Sequence, residues 1–305
     1  MRLASFPRAA GRAITISFIV VALPRNGVAQ ASPPRDSIIV SAKWLAAHSS
    51  DPALVILDVD HDEDAFRKSH IRGARYLPYN EIAVQRDGNN AELPNPAALQ
   101  LVLERAGISN ASHVVLYSAM ALMASRAFFT LDYAGLDHVS VLDGGAAAWQ
   151  KAGHPMAEGG VQAAPGKVVV HPRPELVADA DWIMAHAKSS NVRLIDTRTD
   201  GEYTGGAEHR GMPSAGHLAG ARQLQWQEFF QDPDAGLFKD ASTLASVYGA
   251  RAAKTDTVVT YCWIGYRASM TYLVARSLGY TTKLYDGSYE DWARRKLPVV
   301  AGNQP

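Results

Sequence analysis

The pattern of apolar and polar positions along the chain predicts parallel strands that alternate with helices. The runs VVLY at 114–117 and VVTY at 258–261 are apolar on consecutive positions, which is typical of strands buried on both faces. Residues 267–279 carry apolar side chains at helical spacing, and the pattern stops at Gly279, a residue that commonly ends helices. The order strand, loop, helix predicts the α/β class, in which crossover helices connect parallel strands.

A degenerate repeat divides the chain into two related halves, whose matching blocks keep the same order. The pairs of blocks are LVILD (54–58) and VRLID (192–196), SHIRGARYLP (69–78) and GHLAGARQLQ (216–225), VVLYS (114–118) and VVTYC (258–262), and VLDGGAAAW (141–149) and LYDGSYEDW (284–292). The spacing between blocks changes chiefly at 205–215, where the second half has extra residues. Because loops tolerate insertions, the repeat indicates a duplicated α/β domain.

The length of the chain and the repeat together predict two tandem domains, each a small parallel sheet flanked by helices. A chain of 305 residues is long enough to bury two separate cores. We expect an N-terminal domain at 37–155 and a C-terminal domain at 171–302. The segment 156–170 contains small residues and glycine and few large apolar ones, which is typical of a linker.

Charge and cysteine content exclude several classes of function. Lys plus Arg and Asp plus Glu both total 30, so no charge excess favours nucleic acid or an anionic membrane surface as a partner. The single cysteine excludes an intramolecular disulfide and a cysteine-rich zinc cluster. The ten histidines show no HxxH or HExxH spacing, so we expect no metal.

The N-terminus has the pattern of a secretory signal. Three arginines precede the apolar run 13–23, which leads into Ala-Gln-Ala at 29–31. The run has 11 residues, fewer than the roughly 20 that cross a bilayer as a helix. We therefore expect residues 1–31 to be removed by cleavage after Ala31, with Ala29 as the alternative. The mature protein is then exported and periplasmic, without a membrane anchor.

The only cysteine of the chain, Cys262, lies between a predicted buried strand and a predicted helix. A loop as short as Cys262–Arg267 must curl around its own cysteine, so that backbone N–H groups and the first helical turn point toward the sulfur. Their partial positive charge favours a thiolate and a bound anion. Gly265 lets the loop curl, and Arg267 adds a permanent positive charge. The segment predicts a reactive cysteine in an anion-binding loop.

Several ordered motifs resemble the tandem-domain rhodanese family, the thiosulfate and 3-mercaptopyruvate sulfurtransferases, over about residues 37–300. They are Asp196 and Arg198 after a strand, GHLAGA at 216–221, the Cys262 loop, and DGS at 286–288 with Trp292. The resemblance implies a catalytic C-terminal domain and an N-terminal domain that has lost its cysteine. Ser118 stands at the matching position, in a loop that lacks the glycine and the arginine, so we expect a structural first domain.

The resemblance further implies a double displacement without metal or organic cofactor, in which Cys262 holds sulfur as a persulfide between a small-molecule donor and a thiophilic acceptor. The arginine-bearing loop is similar to that of bacterial thiosulfate enzymes. Thiosulfate is therefore the expected donor and cyanide a test-tube acceptor, with 3-mercaptopyruvate as the alternative donor. Glu202 and Trp263 stand where members of the family often carry arginine. The expected substrate contacts are Arg267, Arg210, Arg198, Trp263, Ile264, Gly265 and Tyr266.

Two pairs of polar residues occupy matching positions in both halves. His217 corresponds to His70 in the same His-x-x-Gly-Ala turn, and Asp196 corresponds to Asp58 at the end of a strand. Because one member of each pair lies in the half without the cysteine, a structural role is favoured for all four. We expect the histidines to fix their turns and the aspartates to organise loops through local hydrogen bonds.

Other classes of function remain open at this stage. Cysteine phosphatases and arsenate reductases also place a cysteine in an anion-binding loop closed by arginine, but phosphatases separate the two by five residues, and Cys262 and Arg267 are separated by four. A cysteine hydrolase needs a base oriented on the thiol, and the motif-borne histidines are the duplicated turn residues. A non-catalytic binding module is disfavoured by the intact loop.

Overall fold

The computed structural model describes residue 1 and residues 38–305, apart from 162, 210–211, 214 and 234–235. The predicted signal segment, with its cleavage sites, and the candidate contact Arg210 therefore lie outside the described residues. No helix of the described part of the chain is long and apolar enough to cross a membrane.

The elements alternate between strands and helices in both halves. The strands are β1 Ile39–Val40, β2 Leu54–Asp60, β3 His70–Ile71, β4 Arg75–Pro78, β5 Val84–Arg86, β6 Asn89–Glu92, β7 His113–Tyr117, β8 Val139–Leu142, β9 Met156–Ala157, β10 Val177–Ala178, β11 Val192–Asp196, β12 Glu208–His209, β13 Met212–Pro213, β14 Arg222–Gln223, β15 Phe230–Asp232, β16 Leu237–Phe238, β17 Thr257–Tyr261 and β18 Thr281–Tyr285. The α-helices are Ala42–His48, Glu63–Lys68, Tyr79–Ile82, Pro96–Arg105, Ala121–Tyr133, Gly145–Lys151, Ala180–His186, Asp200–Thr204, Ala241–Gly249, Tyr266–Ser277 and Ser288–Arg294, with 3₁₀ helices at Pro174–Leu176 and Trp226–Phe229.

Each half contains one five-stranded parallel sheet, and the two sheets have the same topology. The order is β1-β8-β7-β2-β4 in the first half and β10-β18-β17-β11-β14 in the second. The central strands β7 and β17 are buried along four of their five residues, because helices cover both faces of each sheet. The predicted α/β class is thus confirmed, and the predicted helix 267–279 is observed at Tyr266–Ser277.

The repeat extends to side-chain pairs at the strand ends. In register, Asp58 lies opposite Tyr117, and Asp196 lies opposite Tyr261. In each half, the hydroxyl group of that tyrosine accepts a hydrogen bond from the backbone N–H of the His-x-x-Gly-Ala turn, at 3.2 Å in the first half and 3.1 Å in the second. The same bonds therefore hold the turn against the sheet in both halves.

The two histidines of these turns are structural, as predicted. Nδ1 of His70 lies 2.9 Å from the carbonyl oxygen of Phe66, and its ring stacks on that of Phe66. Nδ1 of His217 lies 2.9 Å from the carbonyl oxygen of Tyr203, and its ring stacks on Tyr203 at 3.7 Å. Both histidines are buried, and Nε2 of His217 also lies 2.9 Å from the carbonyl oxygen of Gln304, so both of its ring nitrogens face backbone carbonyl groups.

A long apolar and ionic seam joins the two halves. The helix Ala121–Tyr133 of the first half packs along the helix Tyr266–Ser277 of the second. Asp132 accepts hydrogen bonds across the seam from the hydroxyl group of Tyr272 at 2.8 Å and from Nε of Arg276 at 2.9 Å. The helix that follows Ser118 in the first half thus lies against the helix that follows Cys262 in the second.

The segment predicted as a linker lies against the first half. Val168 is buried, and the backbone N–H of Gly166 donates to the carbonyl group of Glu104. A Cβ atom at Gly166 would lie 2.0 Å from the carbonyl oxygen of Ile108, so only glycine fits this close approach. The glycine content that indicates a linker in the sequence serves a close contact here.

Candidate active site

Cys262 is the first residue after the central strand β17, at the carboxyl end of the second sheet. Its side chain is buried, and the helix Tyr266–Ser277 begins four residues later. Gly265 caps that helix with a φ of 78°, a left-handed conformation that favours glycine. The loop therefore turns sharply between strand and helix, and the helix N-terminus brings its partial positive charge to the side of the cysteine.

The segment after β18 holds the backbone of the cysteine loop. Oγ of Ser288 accepts a hydrogen bond from the N–H of Cys262 at 3.3 Å. The N–H groups of Tyr289 and Glu290 donate to the carbonyl groups of Cys262 and Trp263 at 3.0 and 2.9 Å. Ser288 has a φ of 52° and is fully buried, so the DGS motif supplies an unusual backbone turn that supports the loop.

Arg267 lies in a bidentate ion pair with Glu202. Its two terminal nitrogens each lie 2.8 Å from a carboxylate oxygen of Glu202. Burial raises the pKa of Glu202, but the bonds from Arg267 and from Thr199 outweigh it and hold the pKa at about 2. Glu202 therefore stays ionised and fixes the orientation of Arg267. It also offsets part of the positive charge that the sequence predicts beside the thiol.

Arg198 is held in a buried ion pair with Asp196. Its guanidinium group is fully buried, with NH2 2.7 Å from Asp196 and 2.7 Å from the carbonyl oxygen of Gly216. It also lies 3.9 Å from the centre of the Tyr289 ring. Burial lowers the pKa of Arg198, but the charge of Asp196 and its hydrogen bond more than compensate and raise that pKa, so the guanidinium group stays protonated. This geometry supports a structural role, and it does not support the expected substrate contact.

The remaining loop residues point in two directions. Trp263 is buried and packs on Tyr289, with 5.1 Å between ring centres. Ile264 and Tyr266 instead line a cavity of about 420 Å³. Trp263 therefore packs beneath the loop, whereas Ile264 and Tyr266 form part of the wall of this cavity.

The first half supplies the opposite wall of this cavity, which the sequence does not predict. Tyr79 packs edge to face on Tyr266 at 5.6 Å, and Met120 and Met123 come from the loop after Ser118 and the helix that follows it. Burial raises the pKa of Tyr79 to about 12, so its phenol is neutral at ordinary pH. None of the described residues that line the cavity is lysine, arginine, aspartate or glutamate.

A second contribution from the first half lies under the loop. Arg126, from the helix Ala121–Tyr133, is fully buried and forms an ion pair of 2.7 Å with Asp286. Its NH1 atom would lie 3.2 Å from a Cβ atom at Gly265. The sequence shows only that Arg126 is a single arginine in an apolar helix, and this does not indicate which residues it contacts. Sequence reasoning therefore missed both Arg126 and Tyr79.

Cysteine, helix N-terminus and fixed cations together are suited to nucleophilic chemistry at sulfur. No group of three or more metal-ligating side chains is found among the described residues. The geometry thus brings together Cys262, Gly265 and Arg267 in one loop, with Ile264 and Tyr266 on an adjoining cavity.

Comparison with known proteins agrees with this geometry. A model of the rhodanese-like domain matches the chain twice, over residues 41–152 and 179–295. The chain belongs to the tandem rhodanese sulfurtransferase family. Both copies coincide with the two parallel sheets, so the duplicated fold of this rhodanese is that of the family.

The relatives of this rhodanese are named for different sulfur-transfer activities. It is 31% identical over 285 residues to the sulfur carrier protein TtuD of Thermus thermophilus, covering 88% of this chain and 98% of the relative. It is 29% identical to thiosulfate sulfurtransferase YnjE of Escherichia coli, covering 90% and 62%. The crystal structure of SseA from Escherichia coli, a 3-mercaptopyruvate sulfotransferase, is similar with a TM-score of 0.74 and 25% identity, covering 83% and 98%. This rhodanese is therefore an enzyme of the sulfurtransferase type.

Proposed function

We propose that this rhodanese transfers sulfane sulfur from thiosulfate to a thiophilic acceptor such as cyanide, through a persulfide on Cys262. The observation that supports it most is the position of the only cysteine, at the end of the central strand and the N-terminus of the helix Tyr266–Ser277. The first half has Ser118 at the same place, and a hydroxyl group is a much weaker nucleophile toward sulfur.

The reaction proceeds in two displacements at sulfur. The Cys262 thiolate attacks the outer sulfur of thiosulfate, the bond between the two sulfur atoms of the donor breaks, and sulfite leaves with the electron pair. The acceptor then attacks the outer sulfur of the persulfide, and the thiolate is released. The helix N-terminus and Arg267 favour the anionic sulfur in both steps.

Thiosulfate is the proposed donor because a sulfonate group needs fixed positive charge. The pair with Glu202 leaves Arg267 oriented and partly neutralised, and the described lining of the adjoining cavity contains no lysine or arginine. The donor sulfonate therefore depends on Arg267 and on the loop N–H groups. A charge-assisted contact of this kind is worth about 1.5 to 3 kcal/mol, or roughly ten- to a hundredfold in kcat/KM.

Intact-mass measurement tests the persulfide. The mature protein is expected to gain the mass of one sulfur on incubation with thiosulfate and to lose it again on addition of cyanide. The Cys262→Ser variant should show neither the gain nor turnover. A variant that retains turnover without its cysteine would sink the persulfide proposal.

Steady-state kinetics with thiosulfate and 3-mercaptopyruvate tests the donor. Arg267→Ala should lower kcat/KM for thiosulfate by about ten- to a hundredfold. Glu202→Gln keeps the charge of Arg267 and is the matched control. Its kcat/KM for thiosulfate should stay well above that of Arg267→Ala. If wild-type kcat/KM is higher for 3-mercaptopyruvate, the donor assignment is wrong and the alternative donor replaces it.

We also propose that the protein is exported and periplasmic. The support is the sequence pattern of residues 1–31 alone. N-terminal sequencing of protein from the periplasmic fraction should begin after Ala31 or Ala29. Full-length protein recovered only from the cytosol would contradict export.

A further inference from the structure

Arg126 is a buried cation of the first half whose hydrogen-bonding capacity is only partly used. Its guanidinium group has no exposed surface, and NH1 forms the ion pair with Asp286 at 2.7 Å. Within the part of the chain that the structure describes, Nε and NH2 have no hydrogen-bond partner. Burying hydrogen-bond donors without partners costs free energy. Docking of the two halves alone therefore does not explain why Arg126 is buried here.

The position of Arg126 relates it to the cysteine loop. NH1 lies 3.2 Å from where a Cβ atom of Gly265 would stand, directly behind the N-terminus of the helix Tyr266–Ser277. The charges of both Arg126 and Cys262 act on the phenol of Tyr79. Helix N-terminus and guanidinium group therefore bring positive potential to the same loop.

The charges around Arg126 leave this potential only partly offset. Asp286 shares its carboxylate between Arg126 and the backbone N–H of Leu93, which it accepts at 2.7 Å. Burial raises the pKa of Glu92, and the charge of Asp286 beside it raises it further, so the negative charge of Glu92 is disfavoured next to this pair. Arg86 pairs with Glu92 at 3.0 Å at the exposed edge of the cluster.

On the opposite side of the loop, the pair of Arg267 and Glu202 is the other ionised contact. Tyr79 remains neutral, because its pKa is raised to about 12 by burial. Asp286 is the carboxylate that pairs with Arg126, and it also accepts a hydrogen bond from the backbone N–H of Leu93.

We propose that Arg126 is a positioning residue for sulfur transfer, which holds the Gly265 turn against the Asp286 segment and adds positive potential that favours the anionic sulfur of Cys262. The first half of this rhodanese therefore takes part in the chemistry through one guanidinium group, although its own loop lacks a nucleophile. The inference rests on the proposed function in taking Cys262 as the sulfur carrier.

The test is a pH titration of the thiolate, followed by its ultraviolet absorbance and by the rate of iodoacetamide alkylation. Each variant is compared with the same chain carrying Cys262→Ser, so that only this thiol contributes. Arg126→Met should raise the pH midpoint by about one unit. It should also lower kcat by roughly tenfold, with KM for the donor little changed. Arg126→Lys restores the charge and should bring the midpoint back toward wild type.

Two further variants separate charge from domain docking. Arg276→Met removes an ion pair on the same helix seam, away from the loop, and should lower Tm while leaving the midpoint unchanged. Asp286→Asn removes the negative partner of Arg126 and should move the midpoint downward. A purely structural Arg126 would instead give shifts of the same sign for Arg126→Met and Asp286→Asn.

The proposal is overturned if Arg126→Met leaves the midpoint at the wild-type value, or if Arg276→Met moves it equally. Should Arg126→Met fail to fold, Asp286→Asn decides, because a lower midpoint supports the proposal and an unchanged or higher midpoint overturns it. Failure of the proposed function is a separate result, because it would appear as turnover in Cys262→Ser, whereas the titration reads the thiol without any sulfur donor.

Discussion

The duplicated aspartates predict opposite responses to the same substitution. Asp58 and Asp196 each end a buried strand and lie opposite a tyrosine in register. Asp196 is paired with Arg198 two residues later, whereas the residue two positions after Asp58 is Asp60. Burial raises the pKa of Asp58, a hydrogen bond with the neighbouring tyrosine lowers it, and the charge of Asp60 raises it further, to about 7.

The magnitude follows from the difference between the folded and unfolded protein. The pKa of Asp58 rises from 3.8 to about 7 on folding. Each pKa unit corresponds to about 1.4 kcal/mol, so ionising the folded protein costs on the order of 4 kcal/mol. The folded state binds the proton of Asp58 more tightly than the unfolded state does. The free energy of unfolding is therefore undiminished below about pH 4, and about 4 kcal/mol of it is lost as pH rises toward 7.

Asp58→Asn removes this loss, because the amide is neutral and can still accept the bond from the tyrosine hydroxyl group. We expect the variant to match wild type only at about pH 4 and below, to gain steadily as pH rises toward 7, and to exceed the wild-type Tm at about pH 8 by on the order of 5 to 10 °C. Thermal unfolding followed by circular dichroism over this pH range measures the difference.

Asp196→Asn is the matched control at the same position of the other half. It leaves the buried guanidinium group of Arg198 without its carboxylate, which costs about 3 to 5 kcal/mol. Its Tm should therefore fall across the neutral pH range. If Asp58→Asn lowers Tm at pH 8 as well, then the ionised carboxylate of Asp58 stabilises the folded protein, and the expected cost of its burial is wrong.

Two further predictions concern the loops. Ser118→Ala removes the bond that Oγ accepts from the N–H of Met120 at 3.0 Å, which should lower Tm slightly and leave turnover unchanged; a folded variant with lost activity would show that the first loop is needed for catalysis. Gly265→Ala places a Cβ atom 3.0 Å from the carbonyl oxygen of Asp286 in a left-handed turn, so kcat/KM should fall at least about tenfold. Wild-type kinetics in this variant would mean that the turn adapts without cost.

Local patterns were enough to predict the fold and the position of the cysteine at the end of a central strand. Consecutive apolar residues predict the central strands, helical spacing predicts the helix after Cys262, and the repeat predicts two copies of one sheet. These features depend on neighbours in sequence, because a short stretch of residues is enough to show the burial pattern of a strand or the periodicity of a helix. The structural roles of His70 and His217 followed from the repeat in the same way.

Ion-pair partners that lie far apart in the sequence could not be predicted from local patterns. The sequence indicates that Arg267 and Arg198 carry charge near the loop, but whether each charge is free depends on Glu202 and Asp196 meeting them in space. The same residue type can bind a substrate or complete a buried ion pair, and only the distance to a carboxylate distinguishes the two.

The sequence by itself determined the duplicated α/β architecture and the single cysteine at the end of a central strand. Tertiary structure alone decided that Trp263 faces the core and that Arg126 and Tyr79 of the first half reach the loop of the second. The physical reason is that the packing of the two halves brings together residues more than a hundred positions apart, and no local periodicity records such a contact.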